Sequence, residues 1–209
     1  MPLREIVGPA GRLESLLDEP DEGVPLRAAV VFGHPHPQFG GTMHTKVVYQ
    51  AAKALSRIGC AVLRFNFRGA GASAGEFTNG PGEKDDFRAA LDFMAARYPG
   101  ARLWSGGFSF GSWIGLTIGA EDPRVTTLVG IAPPVDRYDF APVASSSKAK
   151  FFIQGERDEI TPLQRVREFY ARAAEPKELI VIDGADHLFD GKVSEVADAI
   201  EDLLGDWSA

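Results

Sequence analysis

From residue 28 onward, the sequence alternates short, continuously apolar segments with segments whose apolar residues recur every three or four positions. The segment Ala28–Phe32 is too short and too rich in β-branched residues to favour a helix, so it predicts a buried strand. The apolar residues between Met43 and Ile58 fall on one face of an amphipathic helix. Strands that alternate with single helices are joined by right-handed crossovers, which predicts an α/β protein with a mostly parallel, doubly wound sheet and helices on both faces.

The sheet is predicted to contain about eight strands, the first two forming a hairpin. The predicted strands are Glu5–Val7, Leu13–Leu17, Ala28–Phe32, Ala61–Phe65, Arg102–Trp104, Val125–Ile131, Lys150–Gln154 and Glu178–Ile182. The predicted helices begin after Thr42 as N-cap, cover Phe87–Tyr98 and Ser109–Ala120, begin at Pro162 after Thr161 as N-cap, and run from Val193 to Trp207. Ala144–Ser147 is predicted to be a small-residue linker, and no helix is expected to begin within Gly75–Gly82.

Composition narrows the class of protein. A chain of 209 residues suits one domain, residues 1–209. Its net charge of -7 argues against nucleic acid or an anionic membrane as a partner. The one cysteine, Cys60, excludes an intramolecular disulfide, and its apolar surroundings indicate a buried, inert thiol. We expect a cytoplasmic protein, because residues 1–11 carry no signal-peptide pattern and no apolar run could span a bilayer. No cofactor or metal is expected.

In such sheets, ligands bind beyond the carboxyl ends of the strands, so candidate catalytic residues are sought in the loops that follow them. The corresponding loops are 33–41, 66–82, 105–110, 132–149, 155–161 and 183–192.

The pattern G-x-S-x-G occurs twice, at Gly71–Gly75 and at Gly107–Gly111. A serine nucleophile of this type needs a strand before it, a sharp turn at the serine and a helix directly after it. Ser109 meets these conditions, whereas the residues after Ser73 are dense in Gly, Pro and Asn. We therefore predict Ser109 as the nucleophile and interpret Ser73 as part of a Gly-rich surface loop.

A serine hydroxyl is a poor nucleophile at neutral pH and needs a neighbouring base. In the order that accompanies this turn, the acid and then the histidine follow the serine along the chain. His187 is the one histidine after Ser109, and it lies just beyond the last predicted strand. The sequence therefore predicts His187 as the base.

The acid should come from the loop of another strand and orient the imidazole. Asp158 follows the strand Lys150–Gln154 and is the predicted acid. The alternatives are Glu156 and Glu159 in the same loop and Asp136 one strand earlier, while Asp183 and Asp186 adjoin the histidine and suit turn hydrogen bonds.

Acyl transfer also needs two donors aimed at the developing oxyanion. One is expected from the backbone N–H of Phe110, the residue after the nucleophile. The second should come from the loop 33–41, in which prolines remove two N–H groups and leave His34, His36, Gln38 and the residues beyond. By position we favour the N–H of His36, and we expect the side chains of His34 and His36 to be structural.

Five stretches form one set of motifs along the chain: His34–Pro37 with Gly40 and Gly41, Asn66–Gly69 with Gly71 and Ser73, Gly106–Gly111, Gly155–Asp158 and Ala185–His187. Together they resemble the cap-less, dienelactone-hydrolase-like branch of the α/β-hydrolases. The resemblance implies a Ser–His–Asp triad, hydrolysis typically of esters, and a structural role for Arg68 and the Gly-rich loop. Dienelactone hydrolases themselves use a cysteine nucleophile, so the serine argues against that reaction.

Fewer than twenty residues separate Ile131 from Lys150, where larger relatives insert a helical lid. A lid domain does not fit there, so we expect a shallow, open pocket for small or short-acyl esters. The residues predicted to line it are Phe39, Phe77, Phe110, Trp113, Val135 and Leu188.

The predicted function is thus a serine carboxylesterase acting on a small-molecule ester as a monomer or homodimer. A thioesterase, amidase or peptidase would use the same residues. A non-catalytic binding protein on a hydrolase scaffold is the alternative from another class, although such scaffolds usually lose a triad residue. A nucleotide-binding protein is disfavoured, because neither G-x-x-x-x-G-K-[ST] nor G-x-G-x-x-G stands in the required place.

Overall fold

The structure, a computed structural model, describes residues 3–207, with side chains from Ile6 onward. Eight strands form one sheet in the order β1-β2-β4-β3-β5-β6-β7-β8. They are β1 Leu3–Gly8, β2 Gly11–Asp18, β3 Ala28–Gly33, β4 Cys60–Phe65, β5 Arg102–Phe108, β6 Val125–Ile131, β7 Ala149–Gly155 and β8 Lys177–Ile182.

The sheet is mostly parallel. The hairpin of β1 and β2 joins it through an antiparallel pairing of β2 with β4. From β4 through β3 to β8 every neighbouring pair is parallel, so the carboxyl ends of six strands open onto one edge. This confirms the predicted α/β fold and its strand number.

Helices cover both faces of the sheet. Their bounds are α1 Lys46–Arg57, α2 Pro81–Arg97, α3 Phe110–Glu121, α4 Ala141–Ser145, α5 Leu163–Arg172 and α6 Val193–Leu204. The apolar residues of α1 and α6 form one core with one face of the sheet, and those of α2, α3, α4 and α5 form a second core with the other face. Cys60 is fully buried in the first core, and burial raises the pKa of its thiol to about 12.

Two predicted helix starts were wrong. The first helix begins at Lys46, because Thr42 and Thr45 form a turn in which Thr45 Oγ1 accepts from the Thr42 N–H.

The second is helix α5, which begins at Leu163 with Pro162 as its N-cap. The Thr161 N–H is held by Asp158 Oδ1 at 2.8 Å, which keeps that residue outside the helix.

Three other boundaries differ. Helix α2 begins at Pro81, inside the stretch where no helix was expected, because proline suits a first helical position and the Glu83 carboxylate accepts from the Gly80 N–H. The predicted linker Ala144–Ser147 overlaps α4, which packs through the buried Val143. The last helix ends at Leu204, before Trp207.

No helix between residues 3 and 207 combines the length and the apolar character needed to cross a membrane.

Candidate active site

Ser109 occupies a sharp turn between β5 and α3. Its backbone has φ 53° and ψ -122°, a conformation that side chains rarely adopt and that costs on the order of 1–3 kcal/mol. The turn is so tight that a Cβ atom on Gly107 would lie 2.3 Å from the Gly111 carbonyl oxygen, and one on Gly111 would lie 2.3 Å from the Gly33 carbonyl carbon. The surrounding glycines therefore allow β3, β5 and α3 to approach closely enough to hold the serine in this strained position.

Three side chains from separate loops form a hydrogen-bonded chain. His187 Nε2 lies 2.9 Å from Ser109 Oγ, and His187 Nδ1 lies 2.8 Å from Asp158 Oδ2. A carboxylate only accepts, so Nδ1 carries the proton and Nε2 is left to accept the serine hydroxyl proton. The structure thus brings together the three residues selected from the sequence as nucleophile, base and acid.

Asp158 is buried and receives four hydrogen bonds. Oδ1 accepts from the backbone N–H groups of Ile160 and Thr161, each at 2.8 Å. Oδ2 accepts from Gln154 Nε2 at 2.9 Å and from His187. This set of donors fixes the carboxylate with one oxygen towards the imidazole.

Two N–H groups flank the serine. Phe110 is the first residue of α3, so its N–H has no acceptor inside the helix. His36 lies in the loop after β3, and its N–H makes no hydrogen bond with the rest of residues 3–207. Both residues line the same cavity as Ser109.

The loop that carries His36 is braced by His34. The His34 Nδ1–H donates to the Pro35 carbonyl at 2.6 Å, and Nε2 accepts from the Phe67 N–H at 3.0 Å. The Pro35 carbonyl and the His36 N–H belong to one planar peptide unit, so fixing the oxygen fixes the direction of the N–H. Burial lowers the pKa of His34 to about 4, which keeps the ring neutral and suited to both bonds.

The His36 ring packs against Phe39, Phe77 and Phe110, with ring centroids 4.7–5.1 Å apart. Its Nδ1 accepts from the Gln38 N–H and caps the short turn after it. Burial lowers the pKa of His36, partly offset by the charge of Glu83.

A cavity of about 640 Å³ opens at Ser109 and His187. Of the residues predicted to line it, Phe39, Phe110 and Leu188 do so, and Phe39 and Leu188 are exposed at its rim. All but one of the wall residues that were not predicted come from the loops expected to carry the chemistry; the exception, Thr45, directly precedes α1. They are Pro35, Gly40, Gly41, Thr45, Pro134, Arg137, Tyr138, Glu159 and Ile160.

Three residues predicted for the pocket wall lie outside its lining. Phe77 packs behind it on His36 and Phe110. Trp113 stacks on Tyr138 with ring centroids 4.1 Å apart, and Val135 packs against the second core. Phe77 and Trp113 therefore support wall residues, and none of the three lines the cavity.

The second G-x-S-x-G serine is structural. Ser73 is buried; its hydroxyl donates to the Asn66 carbonyl at 2.6 Å and accepts from the Glu14 N–H at 2.9 Å. It is therefore not on an exposed loop surface, contrary to the interpretation from sequence. Arg68 pairs with the buried Asp86 at 2.7 Å, which ties the Gly-rich loop to α2.

Comparison with known proteins identifies the family of this chain. Residues 25–151 match the family model described as serine aminopeptidase, S33. The chain belongs to this family of α/β-hydrolases. An uncharacterized protein of Rickettsia prowazekii is 38% identical over 98% of this chain and 89% of its own length.

Solved structures give the same result. An α/β serine hydrolase homologue from Coxiella burnetii superposes with a TM-score of 0.92 at 35% identity, covering 97% of each chain. A lidless α/β serine hydrolase from Xanthomonas campestris has a TM-score of 0.89 at 36% identity, covering 96% of this chain and 92% of its own. An esterase domain from Rhodothermus marinus has a TM-score of 0.76 at 25% identity, covering 99% and 98%. The protein is thus an α/β-hydrolase of the lidless form.

Proposed function

We propose that this protein is a serine carboxylesterase that cleaves small or short-acyl esters through an acyl-enzyme. The observation that carries the proposal is the chain from Ser109 through His187 to Asp158, with a strained serine at the mouth of a cavity. A hydroxyl, a base and an orienting carboxylate in this order are what nucleophilic acyl transfer requires.

In the first half-reaction Ser109 Oγ attacks the ester carbonyl carbon while His187 Nε2 takes the hydroxyl proton. Asp158 stabilises the imidazolium that forms. The tetrahedral intermediate then expels the alcohol, which receives that proton from His187. In the second half-reaction His187 removes a proton from water, the hydroxide displaces the acyl group as a carboxylic acid, and the proton returns to Ser109.

The negative charge on the intermediate needs donors that are already in place. We assign this role to the N–H groups of Phe110 and His36. Support comes from their shared cavity with Ser109 and from the absence of another acceptor for either within the described chain. The bracing of the Pro35 carbonyl by His34 supports a preformed donor.

The expected substrate size follows from the segment between Ile131 and Ala149. It contains only the short helix α4, so nothing in it encloses a long acyl chain. The cavity is nevertheless within the range of small-ligand sites, and its aromatic wall suits a compact apolar acyl or alcohol group.

The direct test measures hydrolysis of p-nitrophenyl esters of increasing acyl length by wild type and Ser109→Ala. We expect activity on the short esters, falling as the acyl chain grows, and a loss on the order of 10⁴- to 10⁶-fold in the variant. Ser73→Ala is the matched control, since it removes the hydroxyl from the other G-x-S-x-G sequence and should retain the activity. Full esterase activity in purified, folded Ser109→Ala would refute the nucleophile.

Amide hydrolysis is the second candidate, favoured by the description of the matching family as serine aminopeptidases. Amino-acid p-nitroanilides measured beside the esters separate the two. Labelling of Ser109 by a fluorophosphonate distinguishes either enzyme from a non-catalytic scaffold.

A further inference from the structure

The fully buried side chain of Gln154 lies against the triad carboxylate. Gln154 is the penultimate residue of β7, and its Nε2 donates to Asp158 Oδ2 and to the Thr161 carbonyl, each at 2.9 Å. Both neighbours are acceptors, so the reverse orientation of the amide would set oxygen against oxygen. The two N–H groups are therefore committed, one to the carboxylate and one to the loop that follows it.

Gln154 is a costly residue at this position. Its Oε1 is buried and accepts no hydrogen bond from the described residues. An acceptor buried without a partner destabilises the fold, whereas an apolar side chain of similar size would avoid that penalty. Packing alone therefore does not account for a glutamine here, and its hydrogen bond to Asp158 points to a role at the site.

The contact is made to one particular oxygen. Asp158 Oδ2 accepts from both Gln154 and His187, whereas Oδ1 accepts from the Ile160 and Thr161 N–H groups. Two donors that share a charged acceptor each draw on its electron density, so the Gln154 bond weakens the pull of the carboxylate on the imidazole proton.

We propose that Gln154 is a positioning residue that aims Asp158 Oδ2 at His187 and limits how strongly that carboxylate holds a proton on the imidazole. This inference rests on the proposed function, because it takes His187 as the base. Without the Gln154 bond, Asp158 Oδ2 keeps only His187 as a donor, and we expect the variant to need a higher pH for the same activity.

The test is the pH dependence of kcat/KM for p-nitrophenyl butyrate in wild type and Gln154→Met, which keeps the length of the side chain and removes both N–H groups. We expect the acidic limb of the profile to move to higher pH by on the order of half a pH unit. We also expect kcat on the plateau to fall on the order of tenfold, because the carboxylate is less well oriented.

The matched control is Ser56→Ala in α1, which removes one partly buried hydrogen bond, to the Glu19 carbonyl, on an element that supplies no triad residue. It should leave the acidic limb unchanged. A Gln154→Met variant that loses activity but keeps the wild-type limb would show a merely structural role and overturn the proposal.

Two measurements keep the test decisive if the variant does not fold or if no ester is cleaved. In wild type, the NMR resonances of the Gln154 side-chain amide should shift across the acidic limb, and resonances that do not respond would overturn the proposal. The rate of Ser109 phosphonylation by a fluorophosphonate gives the same pH limb without ester turnover. If no ester is cleaved but the acidic limb of Ser109 phosphonylation still moves to higher pH in Gln154→Met, the result counts against the esterase function and not against this role.

Discussion

The buried His34 should make the fold sensitive to acid in a window set by its own titration. The unfolded chain binds a proton at this ring near pH 6.5, whereas burial lowers its pKa in the fold to about 4. Between these values the unfolded state holds more protons, so stability is lost as the pH falls from 6.5 towards 4 and is regained as it rises.

The size of the effect follows from the same two values. From pH 6.5 to pH 4 this titration lowers the free energy of unfolding by about 3 kcal/mol, and from pH 7 to pH 5 it lowers it by about 2 kcal/mol. Replacing His34 by Gln removes the titration while keeping a carbonyl that can accept from the Phe67 N–H. The variant should be less stable at pH 7 by about 1–2 kcal/mol, because the bond to the Pro35 carbonyl is weakened or lost.

The assay is urea unfolding of wild type and His34→Gln at pH 7 and pH 5. Wild type should lose about 2 kcal/mol more than the variant over this interval. The pKa of His36 is also lowered by burial, but this ring is present in both proteins and its contribution cancels. His44→Gln, which removes an exposed imidazole, should keep the wild-type drop because His34 is retained. Equal losses in wild type and His34→Gln would refute the reasoning.

Two further predictions concern the turn and the acid. Gly111→Ala should lower the free energy of unfolding by about 3 kcal/mol in a urea titration, because its Cβ would lie 2.3–2.5 Å from backbone atoms of Gly33 and His34; an unchanged midpoint would contradict this. Asp158→Asn should lower kcat on the order of 10⁴-fold in the ester assay, since the imidazole loses its orienting charge. Activity within tenfold of wild type would place the acid elsewhere, with Glu159 the neighbouring carboxylate.

The order of strands and helices could be predicted because it depends on local apolar periodicity. The segment Val125–Ile131 has the same bounds in the sequence prediction and in the structure. Strand β5 was predicted too short, ending at Trp104, because Gly106 and Gly107 disfavour strands by local propensity. A Cβ atom on Gly106 would lie 2.6 Å from the Val129 carbonyl oxygen of β6, and one on Gly107 would lie 2.3 Å from the Gly111 carbonyl oxygen of α3. Both glycines are therefore required by tertiary contacts that give no local signal.

The proposed triad could be selected from the sequence because its chain order and its loops follow from the fold. The pocket wall could not, because the direction of a loop side chain has no periodicity. Trp113 was predicted to face substrate, yet it stacks on Tyr138, which does line the cavity. Gln154 was assigned only to a strand, since a single buried glutamine gives no signal before its contact with Asp158 is known.

Separate strand connections supply the candidate reacting groups and much of the cavity wall. The candidate reacting groups follow β5, β7 and β8, whereas the segment between β6 and β7 contributes Pro134, Arg137 and Tyr138 to the cavity and no member of the triad. A change of length or composition in that one connection can therefore alter which substrates enter the cavity while the triad is unchanged. In evolution or in protein engineering, residues 132–148 are thus the segment where a lid can be inserted or substrate selectivity changed.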